Sequence, residues 1–307
     1  MYLYLPVALT SINILIPVGL GLAVGLLSGL FGVGGGFLLT PLLIMFGIPS
    51  TVAAATDSNQ IVAASTSGTY AHWKVGNVDF KMGLYLLVGG FVGGIIGVQA
   101  IKLLHAIGNA DFVIKMTYVL MLGIVGVYMF IESIQSMKKS KSAVVEVREE
   151  KESAVGRFLK TLPLQTRFEK SGVTHSALVP IVLGAFVGIL AAIMGVGGGF
   201  LMVPVMVYML RMPMHVVVGT SLFQILFTCI EVTFLQAYTN HSVDFLLAVL
   251  LLVGSTVGAQ IGTVFGRKLK GEQLKVLLAV IVLIVTVKIV FELTLTPSLL
   301  ISQAGGH

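Results

Sequence analysis

Gly32-Val33-Gly34-Gly35-Gly36-Phe37-Leu38 returns in the second half as Gly195-Val196-Gly197-Gly198-Gly199-Phe200-Leu201. Carried on to Pro41 and Pro204, the copies agree at eight of ten positions, and Val24-Gly25 matches Val187-Gly188 at the same offset of 163. One unit has been used twice. Each copy follows an apolar run of about 18 residues and precedes one of about 12, so the glycines interrupt hydrophobic sequence. Backbone broken at membrane depth is tolerated only where protein or a polar cavity satisfies it.

Composition sets the solvent. Of 307 residues 56% are hydrophobic and 10% charged, with a mean hydropathy of +1.01, which leaves too little polar sequence to coat a water-soluble globule. Fourteen of the 32 charged residues lie between Lys138 and Lys170, so the remainder faces lipid or packs within a bundle. Thirty-six glycines suit close helix packing in lipid. The net charge of +6 does not indicate nucleic acid, because the basic residues flank apolar spans rather than line a soluble surface. A single cysteine, Cys229, excludes an intramolecular disulfide and a thiolate metal cluster. The six histidines are scattered without ligand spacing, so neither metal nor cofactor is expected.

Apolar runs fall at about 13–31, 36–48, 52–71, 80–104 and 112–135, and again at 177–194, 199–210, 214–239, 243–265 and 273–293. That is five and five. The predicted fold is an all-α membrane protein of two inverted repeats, each of about five hydrophobic helices with a short half-helix after its GVGGGF segment. The domains expected are a first transmembrane repeat over 1–135, a charged cytoplasmic linker over 136–176 and a second repeat over 177–307. The linker holds nine Lys or Arg and five acidic residues and reads as a solvated tether. If every run changes side, 16 basic residues lie inside and Lys102, Lys115 and Lys288 outside, which obeys the positive-inside rule. An odd number of crossings per half inverts the repeats and puts both termini outside.

Other landmarks recur in order: Thr56 with Thr220, Gln60 with Gln224, Val78-Asp79 with Val243-Asp244, and Gln99 with Gln260. With the doubled GVGGGF segment, its following proline, Gly219-Thr220-Ser221 and Gly76-Asn77-Val78-Asp79, the sequence resembles the sulfite exporter TauE/SafE family over roughly 14–135 and 177–293. The resemblance implies a cell-membrane transporter that exports sulfite, a sulfonate or a related sulfur-containing anion. Where the second half reads Gly-Thr-Ser, the first reads Ala55-Thr56-Asp57-Ser58-Asn59-Gln60, an acidic departure from a two-fold symmetric anion site.

Gly34, Gly35, Gly36, Gly197, Gly198 and Gly199 are expected to start the two short helices with free N–H groups facing a polar cavity, where a small anion binds. Two such ends supply roughly one unit of positive charge without a buried Lys or Arg. The alternative is that the glycines only let helices cross closely. A nucleotide fingerprint is excluded, because Phe37 and Phe200 stand where its third glycine belongs. Thr56, Ser58, Gln60, Thr220, Ser221 and Gln224 offer hydroxyl and amide groups to oxyanion oxygens, or else bond helix to helix. Gln99 and Gln260 are candidates for the same cavity or for packing. Asp57 and Glu231, the acids expected within the membrane, are proton-coupling candidates. Asp79 and Asp244 read as helix N-caps, and His72-Trp73-Lys74 as an interfacial girdle. The expected partners are a small anion, the lipid bilayer and protons. A passive channel or a carrier of another small organic anion is the alternative. An intramembrane enzyme is disfavoured, because Ser221 has no histidine or lysine at a partnering position.

Overall fold

The structure is a computed structural model that describes residues 2–31, 36–139, 164–266 and 271–295. It is mostly helical; among the described residues five helices precede residue 140 and five follow residue 163. The first half holds α1 (Leu15–Phe31), α2 (Gly36–Met45), α3 (Ser50–Lys74), α4 (Phe80–Ala106) and α5 (Ala110–Lys139). The second holds α6 (Leu178–Met194), α7 (Gly199–Pro204, continued by a π turn over Val205–Met209), α8 (Met214–Leu235), α9 (Phe245–Gly266) and α10 (Gly271–Leu295). Gly47, Gly76 and Gly108 take positive φ just past the ends of α2, α3 and α4, where a left-handed residue closes a helix. Among the described residues four helices are long and apolar enough to cross a membrane: Phe80–Ala106, Ala110–Tyr128, Met214–Asn240 and Phe245–Gly262. Helix α3 is as long as these but rich in Ser, Thr and Ala.

Two short hairpins correct the all-α expectation. Strand β1 (Tyr2–Leu5) pairs antiparallel with β2 (Thr10–Asn13), and β3 (Gln165–Phe168) with β4 (Val173–Ser176), in the same register at an offset of 163. Leu5 and Phe168 occupy equivalent positions and are both fully buried. The tether expected over 136–176 therefore ends earlier, because its last dozen residues form a packed element of the second repeat. Its charges misled: Arg167, Glu169 and Lys170 surround Phe168 without exposing it.

The halves are threaded through each other. Helix α1 packs along α9 and α4 along α6, so each long contact joins one half to the other. Backbones touch along both. A Cβ built at Gly25 would lie 2.2 Å from the Ser255 carbonyl oxygen and one at Gly258 2.1 Å from that of Leu22. On the other contact the figures are 2.3 Å from Gly188 to the Gly90 oxygen and 2.0 Å from Gly93 to the Ala185 oxygen. These are the same contacts repeated, and only glycine permits them.

Equivalent helices cross head to tail. Along α3 the sequence passes Ile61, Gly68 and His72, while their neighbours on α8 run backwards from Ile225 through Leu222 to Gly219. Helices α5 and α10 do the same, Gly123 facing Thr286 and Gly126 facing Val282.

Candidate functional site

The start of α2 and the second glycine segment meet at the α3–α8 crossing. Phe37 and Phe200, the same residue of each repeat, stack with ring centroids 4.4 Å apart and planes 14° apart. One side chain touches both. Ile61 Cδ1 lies 2.3 Å from a Cβ built at Gly36, and Ile61 Cγ2 lies 3.3 Å from one built at Gly197. In the second copy Gly195 (φ 72°) ends α6, and Gly197 (φ 66°) and Gly198 (φ 74°) lead into Gly199, the first residue of α7. Three left-handed residues within four are tolerable only as glycine. Gly34 and Gly35 of the first copy lie outside the described residues.

Both apolar and polar groups lie against the described glycines: the Asp57 carboxylate is near Gly36 and the Ser58 hydroxyl bonds the Gly195 carbonyl. Ile61, Ile225 and Cys229 form a small core cluster against Gly36 and Gly197, and Val187 Cγ1 stands 2.2 Å from a Cβ at Gly198. In this conformation the centre is plugged.

Polar groups ring the plug. Asp57 is fully buried; its Oδ2 accepts a 2.8 Å bond from the Thr40 hydroxyl, while its Oδ1 has no partner. The Ser58 hydroxyl donates to the Gly195 carbonyl (3.2 Å) and shares with Ala54 (3.3 Å), which ties α3 to the second break. Gln60 and Gln224 are buried with both Oε1 atoms unpartnered, and Gln224 Nε2 donates to Thr228 at 2.9 Å. Glu231, half-buried on α8, turns an unpartnered Oε2 to the face of α4 beside Gly94.

Thr56 and Thr220 serve the fold. Both are fully buried, and each hydroxyl oxygen accepts a backbone bond across the halves: Asp244 N–H to Thr56 (3.1 Å) and Asp79 N–H to Thr220 (3.0 Å). Ser221 donates to the Val218 carbonyl one turn back, at 3.0 Å. Gln99 and Gln260 do not join the centre. Gln99 is exposed on α4 in a stripe with Val92, Ile95, Ile96 and Leu103, and Gln260 on α9 beside Val253, Val257 and Ile261. Thr56→Val leaves the Asp244 N–H without an acceptor, an expected loss of about 1–3 kcal/mol. Thermal unfolding in detergent reads it, with Thr56→Ser close to wild type.

Asp79 and Asp244 carry more than caps. Each Oδ1 accepts from the third residue on, Met82 N–H at 3.0 Å and Leu247 N–H at 3.1 Å. Each Oδ2 holds the hairpin of the other half, Asp244 taking Val7 and Ala8 N–H groups (3.1 and 3.5 Å) and Asp79 the Ser171 N–H (3.1 Å) and hydroxyl. Ser171 and Ala8 are equivalent positions. At the end of α3, Trp73 is 55% exposed and meets Tyr70 and Phe80 edge-on, with Lys74 Nζ 4.5 Å from the centre of the Tyr70 ring.

Sequence reasoning missed Thr40 and Tyr118. Thr40 replaces the apolar Val203 of the other repeat just where the copies diverge, a detectable signal. Tyr118 on α5 is fully buried, donates to the Met194 carbonyl at the end of α6 and lies against Thr40. Nothing in its apolar run marks it out.

Comparison with known proteins decides the family. Residues 18–289 match the family model described as "Sulfite exporter TauE/SafE". The chain belongs to the sulfite exporter TauE/SafE family. The match spans both glycine segments and the helix contacts described above, and begins after the β1–β2 hairpin. Among relatives, the chain is 26% identical over 288 residues to the Bacillus subtilis "Probable membrane transporter protein YunE", covering 91% of this chain and 98% of that one. It is 27% identical over 272 residues to YjnA of the same organism, covering 88% and 97%. A shorter stretch of 103 residues is 31% identical to "Sulfite exporter TauE/SafE family protein 1" of Arabidopsis thaliana, covering 33% of this chain and 23% of that one. No solved structure matches the chain. Membership makes it a membrane transporter of the sulfite exporter type, and the exposed apolar stripes of its helices agree.

Proposed function

We propose that the chain exports a small sulfur-containing anion, such as sulfite or an organosulfonate, across the cytoplasmic membrane. The cargo passes through the centre where α2 and α7 begin, and the two halves stand inverted about it. The single observation that carries this is Ile61 bridging Gly36 and Gly197 beside the stacked Phe37 and Phe200, since it brings the starts of the two short helices to one point. The head-to-tail crossing of α3 with α8 supports the inversion, because equivalent helices of parallel repeats would run the same way. The plugged centre corresponds to an occluded state, from which Ile61, Ile225 and Cys229 must part to admit cargo. Main-chain N–H groups at the breaks, with Ser58, Gln60, Ser221 and Gln224 around them, then meet the oxyanion. Thr56 and Thr220 contribute by holding the halves together. A proton is the proposed co-ion, carried by Asp57 or Glu231. The charged linker expected over 136–176 lies on the cytoplasmic side, and both termini on the outer side.

Flux of labelled sulfite in proteoliposomes tests the reading. Saturation and counterflow are expected; linear flux without counterflow would indicate a channel, and no flux of sulfite or of a simple sulfonate would remove the cargo class. Gly198→Val is expected to insert and yet fall to background flux, because its φ of 74° and the 2.2 Å approach of Val187 both exclude a branched side chain.

A further inference from the structure

Resting on this transport reading, we infer that Asp57, rather than Glu231, takes up the co-transported proton: a built-in anion at the start of α2 that is neutralised once for each anion that binds.

The placement is specific to one half. Asp57 Oδ1 lies 3.3 Å from a Cβ built at Gly36, the first residue of α2, and Oδ2 is held by Thr40 one turn further along the same helix. The carboxylate thus runs beside the first turn of a ten-residue helix, the end that favours negative charge. In the second repeat the equivalents of Thr40 and Asp57 are Val203 and Ser221. Both departures from the repeat touch each other, so they form one feature present once.

The surroundings contain no compensating cation. The ionisable groups facing Asp57 are the Tyr118 hydroxyl of α5 and the Cys229 thiol of α8. Among the described residues no Lys, Arg or His is among its interaction partners. Its bare Oδ1 is fully buried and turned to the helix start, where a ligand oxygen would otherwise sit.

The electrical consequence follows. Two helix ends offer about one unit of positive charge, and an ionised Asp57 cancels it. An incoming anion is therefore accommodated when Asp57 takes up a proton, one per anion. Left ionised, Asp57 would repel a monoanion roughly 6 Å away by about a hundredfold in binding at an effective dielectric constant near 20.

The test uses the full chain in detergent, titrated calorimetrically with methanesulfonate, a monoanion. Running each titration in two buffers of different ionisation enthalpy reads the proton uptake. Wild type is expected to take up as much as one proton with methanesulfonate, and Glu231→Gln to do the same. In Asp57→Ser, the residue of the other repeat, the proton uptake is expected to vanish while methanesulfonate still binds. Asp57→Asn, which keeps the bond to Thr40, is expected to behave the same way. Proton uptake equal to wild type in both folded variants overturns the assignment while leaving the transport reading intact. Should neither variant fold, wild-type proton uptake decides, and none from about pH 5 to about pH 9 overturns it. Failure of methanesulfonate to bind any folded form overturns the transport reading and this inference with it.

Discussion

Gly93→Val is expected to stop the two halves from assembling. A Cβ at Gly93 falls 2.0 Å from the Ala185 carbonyl oxygen, and at Gly89, one turn earlier, 1.9 Å from that of Ile181. The obstacles are backbone atoms of α6, so no rotamer change relieves them; the helices must separate along their length. Ordinary overpacking costs about 1–3 kcal/mol, and separation of the α4–α6 contact forfeits the dispersion of a whole helix face in addition. The expected outcome is loss of the monodisperse peak in fluorescence-detected size exclusion. Gly123→Ala provides the contrast. Its Cβ would meet only Thr286 Cγ2 at 3.7 Å, and alanine favours helix by about 1 kcal/mol, so a wild-type profile with equal or higher thermal stability is expected.

Asp244→Ala carries the second large effect. It removes the cap of α9 and leaves the N–H groups of Val7 and Leu247 without their acceptor. Cap loss, which includes the Leu247 donor, costs about 0.5–2 kcal/mol and the orphaned Val7 donor about 1–3 kcal/mol, so a total of about 1.5–5 kcal/mol is expected. An isolated two-stranded hairpin is marginal in water, and the β1–β2 hairpin depends on this anchor. Limited proteolysis of the variant is expected to cut first between Pro6 and Leu9, at a site protected in wild type. Asp79→Ala is expected to expose Glu169 to Gly172 in the same way, since Asp79 holds Ser171. A variant that kept wild-type protection at both turns would show that the hairpins are held by something else.

Much of the helical architecture was legible because the glycine segment is doubled. It predicts a short helix after each copy, and α2 and α7 stand there among the described residues. The aspartate caps were legible too, since Asp79 and Asp244 each open an apolar run and no other role suits an acid there. The hairpins were not. Four-residue strands with one buried side chain, Leu5 or Phe168, leave no alternation long enough to read, and the charged neighbours of Phe168 resemble a tether.

At the site, residue type alone did not supply the geometry. Thr56 and Thr220 look like cargo contacts because hydroxyls suit oxyanions, yet their oxygens cap the other half's aspartates. Their recurrence beside the recurring Val-Asp pairs was the available signal, since two features kept in both repeats are candidates for contact with each other. Gln99 and Gln260 mislead in the opposite sense: amides on glycine-rich helices suggest an interior, but the glycine faces pack on α6 and α1 and the amides fall on the outer stripes. Asp57 was noticed as an acid, whereas its bond to Thr40 required the fold.

Inversion of the halves underlies the account, and sided labelling tests it most directly. Val75 and His241 are exposed in the equivalent loops before α4 and α9. Single cysteines there, in a Cys229→Ala background, are to be treated in intact cells with a membrane-impermeant maleimide. The account predicts that His241→Cys reacts from outside and that Val75→Cys reacts only after the membrane is opened. Labelling of both from the same side would contradict it.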